Sequence, residues 1–189
     1  KNQVCMKKQL SYLMAALMMV TFFSIGCKKD DKGPENEEEL ITTLKLTFTE
    51  VGGTATSTVT FKDADGPGGN APTQNEQIIL SPNKQYNCTI QVLDESKSPV
   101  KDITTEINAE ANDHQFYYEV AGANITVTGL NTDPNGRPLG VTSRWNCGAV
   151  SGPGTVKVTL KHKPGAKGSS DPVTVGETDI EVSFAARIQ

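Results

Sequence analysis

Apolar and polar residues alternate through most of the chain after position 40, and this two-residue period limits the fold more than any other feature. In the last such segment, 178–188, five apolar residues fall on one face: Ile180, Val182, Phe184, Ala186 and Ile188. Side chains of a β-strand alternate between the two faces of its sheet, whereas a helix repeats every 3.6 residues. The pattern therefore predicts half-buried strands.

Strands are predicted at 41–49, 54–61, 78–80, 84–93, 115–120, 124–130, 141–147, 154–161 and 178–188. Turn residues at 51–53 and at 121–123 predict two hairpins. Segment 102–111 breaks the period, because Asp102 suits a helix N-cap and Ile103 and Ile107 lie four residues apart. Together these elements predict an antiparallel β-sandwich over residues 41–189, immunoglobulin- or transthyretin-like, with one short crossing helix.

Residues 1–26 are typical of an upstream extension followed by a lipoprotein signal peptide. The first methionine is Met6, the next two residues are lysines, and a mostly apolar run covers 10–25. Ser24-Ile25-Gly26-Cys27 then resembles a lipobox, which predicts cleavage before Cys27 and lipidation of its thiol. The alternative is an uncleaved anchor helix, although the run is short for a membrane span.

Residues 27–40 are predicted to form a flexible acidic tether, because 28–39 contain no aromatic or β-branched side chain that could be buried. Asp30-Asp31 resembles the export tag of cell-surface lipoproteins of Bacteroidetes. We therefore expect a lipid anchor in the outer membrane with the domain facing the exterior. Retention on the periplasmic face is the alternative.

The charge of the exported part bears on its partners. The whole chain has a net charge of −4, and its first 26 residues contain three lysines and no acid, so the remaining 163 residues carry −7. Such a balance argues against nucleic acid as a partner.

Two cysteines remain after Cys5 in the leader and the lipidated Cys27. Cys88 and Cys147 both share the apolar face of a predicted strand, and an oxidising compartment favours disulfides. We predict a disulfide between them, with two separate buried thiols as the alternative.

No zinc-protease, P-loop, Rossmann or nucleophile-elbow motif is present, which favours a non-catalytic protein. A hydrolase is the alternative. Tyr117 lies on the face of its strand opposite Phe116 and Tyr118, which indicates a contact surface there.

A divalent metal is a further hypothesis. His114 and His162 each end an apolar row of a strand, so two imidazoles would meet if those strand ends adjoin, with Asp113, Glu177 or Asp179 as neighbours. The alternative is a pair of histidines bonded to the backbone. Asp63-x-Asp65-Gly66 is half of a calcium loop, as is the similar stretch that begins at Asp133, and plain turns are the alternative for both.

Five stretches together resemble small Bacteroidetes lipoproteins labelled "type 1 periplasmic binding fold superfamily protein". They are the lipobox with its tether, residues 61–66, 114–118, 160–162 and 177–182. The label implies two α/β lobes, which disagrees with the strand pattern, and we follow the pattern. The layout is also similar to accessory proteins of TonB-dependent outer-membrane transporters. That similarity implies a binding or accessory subunit in nutrient or metal uptake, against the alternative of a structural or adhesive surface module.

Overall fold

A computed structural model describes residues 40–66 and 68–189 of the chain. The described part is a β-sandwich of two sheets with one short helix, as the alternation predicts. Its elements in chain order are β1 (Thr43–Glu50), β2 (Thr56–Lys62), β3 (Gln74–Asn75), β4 (Ile78–Leu80), β5 (Gln85–Asp94), β6 (Lys101–Asp102), α1 (Ile103–Ala109), β7 (His114–Ala121), β8 (Ile125–Thr128), β9 (Thr142–Cys147), β10 (Ser151–His162) and β11 (Glu177–Ile188).

The first sheet has the strand order β3-β2-β1-β5-β9-β8, and β6 adds to the end of β5. All its pairs are antiparallel. The predicted hairpin of β1 and β2 is confirmed, and it turns through Gly52, whose φ of 82° suits glycine.

The second sheet has the order β4-β11-β10-β7. Strands β10 and β11 form a long antiparallel hairpin, and β7 pairs antiparallel with the other edge of β10. The three-residue β4 pairs in parallel with β11, and the other pairs among the described strands are antiparallel.

Aromatic side chains join the two sheets through the middle of the core. Trp145 on β9 is fully buried and meets Phe48 of the same sheet edge to face, with ring centroids 4.9 Å apart. Tyr118 on β7, from the opposite sheet, meets the same indole at 5.8 Å. The apolar rows predicted for β9 and β7 therefore face each other, and edge-to-face pairs of this kind add stability beyond buried area.

The helix begins and ends close to the predicted bounds. The Asp102 carboxylate accepts a hydrogen bond from the Thr104 amide at 3.0 Å, which caps the first turn. Ile103 and Ile107 are both buried against the core. At seven residues, this is a connection between strands, and no helix in residues 40–66 and 68–189 has the length and apolarity to cross a membrane.

The second predicted hairpin is wrong. Strand β7 pairs with β10 in one sheet, whereas β8 pairs with β9 in the other. The chain at 122–124 therefore crosses from one sheet to the other, where Gly122 adopts a φ of 75° and packs closely on Gly154. Alternation and a glycine turn predicted both strands, but they could not tell a hairpin from a crossing.

The predicted disulfide is also wrong, although both thiols point into the core as the alternation predicts. Cys88 and Cys147 are buried free cysteines. The register of β5 and β9 places Cys88 opposite Ser143, four residues before Cys147. Four residues of strand span about 13 Å, whereas a disulfide needs Cα atoms within about 7 Å.

Candidate functional site

His114 and His162 come together at one end of the second sheet, because they are direct cross-strand partners on β7 and β10. Their rings stack with centroids 4.7 Å apart and an interplanar angle of 20°. Both residues are buried. The Nδ1 atom of His114 lies 3.1 Å from the carbonyl oxygen of Glu110, which can only accept, so Nδ1 carries the proton and donates.

A β-bulge directs a carboxylate toward this pair. Between Leu160 and Lys161 the pairing of β10 with β11 shifts, and Asp179 is the extra residue on β11. Its Oδ2 atom lies 3.9 Å from Nε2 of His114. Burial, together with the charge of the neighbouring His162, lowers the pKa of His114. The neutral imidazole is therefore the form that this site favours.

The residues of the two metal hypotheses belong to different sheets. Asp63 and Asp65 follow β2 of the first sheet, whereas the histidines belong to the second. Within the described ranges, no three His, Cys, Asp or Glu side chains are grouped so that they could hold a metal ion. A metal at the histidine pair stays a prediction.

The two aspartate turns differ in their environment. Asp65 accepts hydrogen bonds from the backbone and side-chain nitrogens of Asn70 at 2.9 and 2.7 Å, which lowers its pKa. Burial and the neighbouring Asp65 raise the pKa of Asp63. Asp133 uses Oδ1 to accept from the amides of Asn135 and Arg137, both at 2.9 Å, so its half-motif forms a turn.

Tyr117 does not offer the exposed contact surface that its place on the strand suggested. The connection at 163–176 covers it, and its hydroxyl lies 2.9 Å from the carbonyl oxygen of Asp171. The fully buried Lys163 donates to this hydroxyl and to Gln115, and its Nζ lies 4.6 Å from the centre of the tyrosine ring. Burial raises the pKa of Tyr117 to about 12.

A groove of about 550 Å³ opens on the outer face of the first sheet, away from both histidines. Its floor is β9, one wall is β5, and the other is the end of β8. It is lined by Asn87, Cys88, Thr89, Thr128, Gly129, Thr142, Ser143 and Arg144. Gly129, with a φ of 58°, lies beside Arg144, and a Cβ at this glycine would be 3.3 Å from the Cβ of the arginine.

Arg144 gives the groove its charge. It is the only charged residue among the eight that line the groove, and its side chain is half-buried. Its guanidinium makes no hydrogen bond or ion pair with any residue that the structure describes. In a domain that is acidic overall, this is a local positive site with unused donors.

Hydroxyl and amide side chains surround this arginine in two cross-strand rows. The strand registers align one row as Thr58, Thr47, Thr89 and Thr142, and the next as Thr56, Thr49, Asn87, Arg144 and Thr128. The rows continue from the groove across β5, β1 and β2. The surface is therefore neutral and polar around a single cation, and it includes no aromatic side chain.

The sequence alone did not identify this groove. Alternation places Arg144 on the face opposite Trp145, which indicates an outward arginine and nothing more. The groove depends on the pairing of β9 with β5 and β8, which are far from each other in the chain. The signal that could have found it is the number of outward threonines in β1, β2, β8 and β9.

The predicted lipidation site, Cys27, lies outside the described residues. So does the predicted tether of residues 27–40, apart from its last residue. No protein-family model, curated protein or solved structure matches this chain.

Proposed function

We propose that this protein is a lipid-anchored, non-catalytic binding or accessory subunit of the outer membrane, and that its ligand contacts the groove around Arg144. The observation that carries the proposal is this groove, in which the guanidinium of Arg144 has no partner among the described residues and lies among neutral hydrogen-bonding side chains. Volumes of roughly 300 to 1,000 Å³ are common for small-ligand sites.

The side chains that line the groove support binding more than catalysis. Its lining has one arginine and no second titratable group suited to proton transfer, since burial raises the pKa of Cys88 to about 12. Hydroxyls and an amide held on paired strands form a rigid recognition surface. Such a surface suits a subunit that captures a ligand and passes it on.

The proposed anchor and partner follow from the chain before the sandwich. A lipid on Cys27 and the acidic tether would hold the domain near the membrane. By analogy of layout, the partner is a TonB-dependent transporter barrel, and the process is nutrient or metal uptake. The domain would face the cell exterior.

The test is capture of small molecules by the full chain. Purified lipoprotein in detergent is incubated with a metabolite extract, and the compounds retained are identified by mass spectrometry. Thr142→Trp fills the floor of the groove, and Thr155→Trp makes the same change at an exposed position on β10 of the other sheet.

We expect at least one compound to be retained by the wild type and by Thr155→Trp, and to be lost with Thr142→Trp. Equal retention by all three proteins would show that the groove is not the site. Retention of nothing by any of them would contradict small-molecule binding and favour the structural or adhesive alternative.

A further inference from the structure

We infer that the ligand of the groove is a carboxylate that also carries several hydroxyl groups, such as a sugar acid. The inference rests on the proposed function, because it names the ligand class for the same groove. Two properties of the lining support it, the single unpaired arginine and the neutral donors and acceptors around it.

The arginine of the groove favours a ligand with one carboxylate. A guanidinium is planar and presents paired donors that match the two oxygens of a carboxylate. No described residue takes up these donors of Arg144, and Gly129 lies so close that a Cβ there would be 3.3 Å from the Cβ of the arginine. An apolar ligand would cover the guanidinium without accepting hydrogen bonds from it, and this would make the free energy of binding less favourable. A ligand with several negative charges would find no second cation in the lining.

The neutral side chains of the groove favour a ligand with hydroxyl groups. Thr89, Thr142 and Thr128 each offer a hydroxyl that can donate and accept, and Asn87 offers an amide that does both. Ligand hydroxyls are also both donors and acceptors, so they match this set in either direction. Asn87 and Thr128 are the cross-strand neighbours of Arg144 on its two sides. When Arg144 binds the carboxylate of a ligand, the neighbouring hydroxyls of that ligand are therefore within reach of Asn87 and Thr128.

The groove offers polar contacts to such a ligand and no stacking surface for its ring. The lining has no aromatic side chain on which a sugar ring could stack. Affinity must then come from polar contacts, and the charge-assisted pair with Arg144 would be the largest of them. We expect weak binding of a single sugar acid and a strong dependence on its carboxylate.

The experiment measures binding of three probes to the full chain in detergent micelles by ligand-observed saturation-transfer NMR. Galacturonate has both the carboxylate and the hydroxyls, galactose has the hydroxyls alone, and acetate has the carboxylate alone. Arg144→Gln removes the cation from the groove. Arg187→Gln is the matched control, because Arg187 is an exposed arginine on β11 of the other sheet.

We expect galacturonate to bind the wild type and Arg187→Gln with equal affinity. Its affinity for Arg144→Gln should be lower by at least about tenfold. Galactose and acetate should each bind at least about tenfold more weakly than galacturonate. Circular dichroism of both variants checks that the fold is kept.

Three outcomes would overturn the inference. Equal binding of galactose and galacturonate would exclude the carboxylate as the anchor, and unchanged binding by Arg144→Gln would exclude the groove arginine. No binding of galacturonate at all would exclude the ligand class. In each case the groove could still retain another compound in the capture experiment with Thr142→Trp, so failure here is distinguishable from failure of the proposed function.

Discussion

The imidazole rings of His114 and His162 stack 4.7 Å apart because the two residues face each other across paired strands of the second sheet. The contact lies at one end of that sheet, where β7 begins and β10 ends. A charge on the His114 ring is unfavourable, because burial and the neighbouring His162 lower its pKa. His114 therefore links the stability of the fold to pH.

Stability should fall as the solution becomes moderately acidic. The pKa of His114 is lowered in the folded state, chiefly by burial, and in the unfolded chain it returns to about 6.5. Between these two pKa values the unfolded state binds more protons, so the free energy of unfolding decreases as pH falls below 6.5 and levels off below the folded pKa. Urea unfolding between about pH 7.5 and about pH 5.5, followed by Trp145 fluorescence, measures this slope.

His114→Gln is the variant that isolates the effect, because it keeps a polar side chain at this position and cannot take up the proton. We expect a smaller decrease in its free energy of unfolding over the same pH range. The same decrease in the variant and the wild type would assign the acid sensitivity to other groups.

Cys88 and Cys147 should be recovered as free thiols from the purified protein. The register separates them by about 13 Å along the sheet. Burial raises the pKa of Cys88 to about 12 and that of Cys147 to about 11, so neither reacts readily in the folded state. Alkylation without reductant, in the native state and then in denaturant, followed by peptide mass spectrometry, should label both cysteines only after unfolding. A disulfide-linked peptide pair would contradict the register of β5 and β9.

The buried ion pair of Lys167 and Asp133 should matter far more to stability than an exposed pair. Its Nζ and Oδ2 atoms lie 3.2 Å apart, and both side chains are fully buried. Asp133→Asn keeps an oxygen for the turn but leaves the Lys167 ammonium without its counter-charge. We expect a loss of about 3 kcal/mol in the free energy of unfolding.

The matched change is Glu50→Gln, which breaks the exposed pair between Lys84 and Glu50 at 2.7 Å. We expect a loss of about 0.5 kcal/mol or less there. Urea unfolding of both variants at neutral pH makes the comparison. Equal losses would mean that the connection at 163–176 does not hold Lys167 in a dry environment.

Local patterns in the sequence predicted the elements of this fold well. The two-residue period located the long strands to within a few residues, and Asp102 with Ile103 and Ile107 predicted the helix. The same parity placed His114 and His162 at the ends of core-facing rows. Each of these inferences uses neighbours along one segment, where sequence and geometry are directly linked.

Pairing between distant segments could not be predicted in this way. The partner of β7 is β10 and the partner of β8 is β9, so a hairpin was predicted where the chain changes sheets. The position of Cys147 along β9, relative to Cys88, depends on the same long-range register. The groove at Arg144 depends on it too, because three strands far apart in the chain form it. Burial of Lys163 and Lys167 depends on distant segments too, because Lys163 donates to Gln115 and Lys167 donates to the carbonyl oxygen of Ala111.

The measurement that tests the account most directly is a pull-down of the tagged, lipidated protein from native outer membranes in mild detergent, with copurifying proteins identified by mass spectrometry. We expect stoichiometric recovery of a TonB-dependent barrel with the wild type and its loss with Cys27→Ala, which removes the proposed anchor. Recovery of the tagged protein alone would contradict the proposed role as a transporter subunit.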